Sequence, residues 1–121
     1  MGLEYLGGNA TPDPIDSQEL PRQVSLRHTW RHDPAPAEVD WRIRIHPSQA
    51  EWWTLEGAGD GGWVDRPRSE VGSGTLGTAV EHRVVLESKQ TLDKSRPATF
   101  QVRAEAADDT STRHLSVRVT K

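Results

Sequence analysis

The residues best suited to chemistry lie in the window AEWWTLEGAGDGGWVD, residues 50–65, which holds three of the chain's five tryptophans: Trp52, Trp53 and Trp63. An indole face complements the apolar face of a sugar ring, and Asp60 and Asp65 are close enough in sequence to accept hydrogen bonds from sugar hydroxyls. Trp52 and Trp63 are therefore candidate ligand-binding residues, with Trp30 as a third. The competing reading is structural: Trp63 folds back from its glycine loop onto Trp52, and the two rings cover each other. Consecutive strand residues point to opposite faces, so an extended 51–56 cannot bury both Trp52 and Trp53 in one core. Trp53 shares its face with Leu55 and is assigned inward. Trp52, in line with Thr54 and Glu56, is assigned outward.

Arginines supply the second candidate surface. Arg27, Arg42, Arg44, Arg83, Arg103 and Arg118 fall on outward positions among Glu81, Glu87 and Glu105. The bland account is a set of cross-strand ion pairs, each worth under about 1 kcal/mol. The functional account has Arg42 and Arg44 meeting an acidic polysaccharide or the acidic patch of a protein, in which case binding weakens with salt.

Other constellations carry little. His28 and His32 are four apart, which separates them by about 13 Å on an extended chain, so the helical zinc pairing does not apply and no metal is expected. His28 and His82 fall on inward positions, each expected to donate to a backbone carbonyl or to sit at the core's edge. No serine has a nucleophile elbow around it, and Asp108–Asp109 sits in a turn that favours Asp for backbone reasons. Neither a catalytic residue nor a cofactor is expected. Asn9, the only asparagine, is a formal glycosylation acceptor of little weight.

The elements that position these residues repeat with a period of two. Segment 23–30 sets Val24, Leu26, His28 and Trp30 on one face, and 39–46 alternates Val39, Trp41, Ile43 and Ile45 against Asp40, Arg42, Arg44 and His46. Between them Pro34 and Pro36 break the pattern. Residues 51–56 and 62–66 make short strands, and 70–78, with Gly72, Gly74 and Gly77, reads as a flexible connection. The strands 78–88, 97–106 and 114–120 follow, each alternating. About seven half-apolar strands with turns between them predict an all-β fold, an antiparallel immunoglobulin-like sandwich. Residues 1–22 read as a tail or linker, with a short edge strand at 3–6, and 23–121 as the single domain.

Composition narrows the rest. Hydrophobic residues make up 33% and the mean hydropathy is −0.74, so the core is lean. Residues 1–22 hold four acids against Arg22 and carry the whole net charge of −3. The neutral remainder offers no electrostatic footprint for nucleic acid. No apolar run reaches the roughly 18 residues of a membrane helix, so no membrane insertion is expected. Cysteine is absent, which excludes disulfides and leaves the compartment open; an extracellular or periplasmic place as part of a longer protein is compatible.

The second half has a recognisable cadence: DWRIRI, then AEWWTL, a glycine-rich GSGTLG, the alternating AVEHRVVLES, SRPATFQVRA with its arginine before a strand, and a closing LSVRV. Over residues 39–119 it resembles the bacterial BACON family of immunoglobulin-like modules. GGWVDRPRSEV departs from that pattern as an insertion, and Ser88 stands in a different setting from the family's polar residue after the central strand. The resemblance implies a tryptophan pointing inward in AEWWTL and a non-catalytic accessory domain of multidomain bacterial proteins, often near carbohydrate-active enzymes. The expected function is an interaction or spacer module whose partners are neighbouring domains of a parent protein or another protein. The alternative is a carbohydrate-binding module that holds a polysaccharide on its surface tryptophans.

Overall fold

The computed structural model describes residues 2–33 and 36–121. Its strands are β1 (Leu3–Thr11), β2 (Ile15–Asp16), β3 (Arg22–His32), β4 (Ala37–Ile45), β5 (Trp53–Leu55), β6 (Val64–Val71), β7 (Thr78–Ser88), β8 (Arg96–Glu105) and β9 (Thr110–Thr120). They form two sheets, ordered β1-β3-β7-β5 and β2-β9-β8-β4-β6. Every pairing is antiparallel except β2 on β9. In immunoglobulin terms β1, β3, β7 and β5 stand as A, B, E and D, while β9, β8 and β4 stand as G, F and C. The chain is thus an immunoglobulin-like β-sandwich. Its own departure is that it leaves β4 for the far edge of the other sheet as β5, then returns to pair β6 with β4.

The period of two does the sorting. Val24, Leu26, Trp30, Val39, Trp41, Ile43, Phe100, Val102, Val117 and Val119 fill the space between the sheets, each no more than 1% exposed. Charged residues at the intervening positions face water.

Three parts differ from the sequence expectation. Gly7–Arg22 was expected to be loose, with a strand confined to 3–6, yet β1 runs on to Thr11 and pairs along β3. Gly8 is a packing residue: a Cβ on it would lie 2.7 Å from the Tyr5 hydroxyl, so Gly8 leaves the room in which Tyr5 sits against Trp30. Beyond it Ile15 is fully buried, and Asp16 caps the turn Ser17–Glu19 by accepting from the Gln18 amide at 2.9 Å. Second, β6 runs from Val64 to Val71, past the short strand expected at 62–66 and into the flexible connection expected at 70–78. It is an edge strand, where Pro67 falls at a register shift and has no N–H to donate to the ladder. Third, β5 holds only three residues, and Trp52 precedes it. Of the two prolines that break the pattern, Pro36 directly precedes β4 and Pro34 lies outside the described residues.

Candidate functional site

Trp53 points inward, 2% exposed, and its Nε1 donates to the Pro97 carbonyl at 3.0 Å. Trp52 is half-buried against the same core, its amide donating to the Gln49 carbonyl. Trp52 lies in the turn before β5, so its direction relative to Trp53 is set by that turn and not by strand alternation. Trp52 and Trp63 do not cover each other. The Arg96 guanidinium lies 3.6 Å from the Trp52 ring centroid, and the Arg44 guanidinium lies 4.3 Å from that of Trp63. Each stacked cation is worth about 0.5–1 kcal/mol at such partly wet positions.

Trp63 heads the strand that pairs with β4, which brings several candidates together on the outer face of the five-stranded sheet. Arg44 donates from Nε to Gln101 Oε1 at 2.6 Å and from Nη1 to the Gly61 carbonyl at 3.5 Å. Gln101 continues the row to His114 at 3.3 Å, whose ring meets His46 edge-on at 5.1 Å. One row along, Arg42 donates from Nε to Asp65 at 2.8 Å. Asp60 is exposed in the turn Asp60–Gly62. Trp63, Asp65, Arg42 and Arg44 thus share one surface, whereas Trp52 stands with Arg96 elsewhere. Trp30 is fully buried and presents no face to a ligand; the inward side of β3 puts it against Tyr5 and Trp41.

The charges of this face are arranged in rows. Arg42 lies directly opposite Arg103, and Asp40 directly opposite Glu105, two like-charge pairings that a sheet normally avoids. Each charge is relieved sideways: Arg42 by Asp65, Asp40 by Arg68 at 2.8 Å, and Arg103 by Glu105 at 3.1 Å. The Arg68 hydrogen bond holds the Asp40 carboxyl below its ordinary range. These pairs are wet, so Asp65→Asn is expected to change stability by less than about 1 kcal/mol in urea denaturation, and the small loss should shrink further at high salt.

A second constellation lies inside, where His28 and His82 are 3% and 4% exposed with their ring centroids 5.1 Å apart. Trp41 stands edge-on to His28 at 5.1 Å and 5.3 Å from His82. The Trp30 indole N–H donates to His28 Nδ1, so neutral His28 carries its proton on Nε2. Neither His28 Nε2 nor His82 Nε2 has a hydrogen-bond partner, and neither does the buried Nε of Arg66, which sits across from Trp41 on β6. The expectation that His28 donates to a carbonyl is therefore corrected: it accepts from an indole. The inward positions of the two histidines were readable from the alternation. Arg66 was not, because its entry depends on the pairing of β6. His32, also buried, pairs with Asp108 at 2.9 Å rather than joining His28.

No family model matches the chain, and no curated protein matches it. Among solved structures, it is similar to a FixG-related protein from Vibrio parahaemolyticus. That match is 10% identical with a TM-score of 0.48 and covers 99% of this chain and 94% of the other. It is also similar to the ASH / PapD-like domain 7 of human CEP192, 7% identical with a TM-score of 0.47, covering 99% of this chain and 84% of that one.

Proposed function

We propose that the chain is a non-catalytic interaction or spacer module of a larger bacterial protein, of the kind that the BACON resemblance implies. The observation that carries this reading is the state of the two surface indoles. Trp52 and Trp63 each have a ring face already stacked on an arginine, Arg96 of the facing sheet for Trp52 and Arg44 of the adjacent β4 for Trp63, and Arg42 is held by Asp65. An aromatic platform built for sugar would leave its rings open and its acids free. Here the surface polar groups satisfy one another, which suits a domain that holds its neighbours apart or meets them over a broad face.

Intrinsic tryptophan fluorescence, titrated with neutral and uronate-bearing polysaccharides, tests the reading against the carbohydrate-binding one. The expected result is no saturable change, alongside a Trp52→Ala variant that is destabilised because its indole packs on the core. A saturable change that Trp63→Ala abolishes would install the carbohydrate-binding module instead. Binding to an acidic polymer that weakens with salt and is lost in an Arg42→Ala/Arg44→Ala variant would give those arginines the partner surface.

A further inference from the structure

The interior cluster of His28, His82 and Arg66 gathers three of the five buried side-chain nitrogens without a hydrogen-bond partner among the described residues; the other two are the Nε atoms of Arg96 and Arg103. No carboxylate acts on either imidazole, although Arg66 also lines an outer-face pocket with Asp40, Asp65 and Glu105. β3 contributes His28 and the Trp30 indole, β4 the Trp41 indole, β7 His82, β6 Arg66, and β1 the Tyr5 ring behind Trp30. The acids of these strands point the other way: Glu81 lies on the outer face with Arg27 at 3.0 Å, and Asp40 and Asp65 are on the outer face of the other sheet with Arg68 and Arg42. A proton arriving on either imidazole would find one cation already there and no anion.

The cluster also lies at an edge of both sheets. β5 pairs only with Leu86–Ser88 of β7, which leaves residues 80–84 of β7 without a strand on that side. In the facing sheet β6 is the edge strand. This side can part without breaking the long ladders β3–β7 or β8–β9.

We propose that His28, His82 and Arg66 form an acid-operated latch on the β6–β7 side of the sandwich: neutral imidazoles let the sheets close over them, and protonation of either one parts the sheets there. Burial, with His82 beside it, pushes His28 down to about 3. Burial, with Arg66 beside it, pushes His82 down to about 4. Both lie below the ordinary value of 6.5, so the open form binds more protons than the closed one. The closed form accordingly has its full stability above about pH 6.5 and loses it as the pH falls towards 4 and 3. Parting the sheets bares the Trp30 and Trp41 rings and an unpaired stretch of β7, a surface that exists only in acid.

Amide hydrogen exchange between pH 7.5 and 5, corrected for the intrinsic pH dependence of exchange, tests this. From pH 7.5 to 5 the protection of β6 and of residues 80–84 should fall on the order of 30-fold for each imidazole that takes up a proton, while β8 and β9 change far less. In His82→Gln the slope of log protection against pH should drop by about one proton. Protection of β6 that stays constant to pH 5, or that is lost equally and together with β8 and β9, would overturn the latch. So would a pH response that disappears in His32→Gln, which removes the ring facing Asp108, and persists in His82→Gln.

Discussion

Trp41→Ala is expected to lower the stability of the chain by about 3–5 kcal/mol, a large share of the 5–15 kcal/mol that a domain has in total. Trp41 is 1% exposed, and its ring lies against Trp30 at 5.8 Å, His28 at 5.1 Å and His82 at 5.3 Å. Its Nε1 donates to Ser69 Oγ at 2.8 Å, a half-buried side-chain link between β4 and the edge strand β6. Truncation therefore removes three ring contacts at once and frees that hydroxyl. It also opens a space between sheets whose strands are fixed by their ladders and cannot collapse into it. Urea unfolding followed by circular dichroism reads the change as a lower midpoint with an unchanged slope. A loss below about 1 kcal/mol would mean that the ring is not the centre of the core. Trp41→Phe keeps most of the ring and removes the donor, so its loss should be clearly the smaller of the two.

The second large effect is expected at Gly8. Its backbone is not in the left-handed region, so alanine costs nothing in dihedral terms. Space is the constraint: an added Cβ would stand 2.5 Å from the Arg27 carbonyl oxygen, 2.7 Å from the Tyr5 hydroxyl and 2.9 Å from His28 Cβ. Overpacking of this kind costs about 1–3 kcal/mol, and the upper end applies because the nearest atom belongs to the ladder and cannot turn aside. Thermal unfolding of Gly8→Ala should show a clear fall in midpoint. Adding Tyr5→Phe should recover part of it, since that removes the second contact and leaves the first. A Gly8→Ala protein as stable as the parent would show that β1 stands off from β3 at this point.

How much of this was legible depends on where each signal resides. Val39, Trp41, Ile43 and Ile45 declare their side of a sheet within a few residues, because strand alternation is local, and the sandwich follows from several such runs. The inward direction of Trp53 was readable for the same reason, whereas Trp52 lies in a turn that the reading of 51–56 as one strand missed. The extent of β1 was not: Gly7 and Gly8 look like breakers, and the need for a bare Cα at Gly8 arises only once Tyr5 has found Trp30. The second half of β6 escaped because Arg66, Pro67 and Arg68 lack any apolar rhythm; an edge strand tolerates this when its partner supplies the order. The candidate site was half legible. Trp63, Asp65, Arg42 and Arg44 do meet, yet the ring partners are arginines from other strands, Arg44 for Trp63 and Arg96 for Trp52, and no local pattern announces those pairings. Trp30 was misplaced as a ligand residue because a strand end looks exposed until β1 is laid beside it.

Pro67 in the outer strand bears on how copies of the molecule behave when crowded. A backbone rim with an uninterrupted series of amide donors is a template on which a neighbour's chain can crystallise into one continuous ribbon. Here that rim lacks a proton midway along and is flanked by the two bulky cations Arg66 and Arg68, while the opposite rim of the same layer is the two-residue β2. Domains with such interrupted margins can be strung in tandem at high local concentration without fusing.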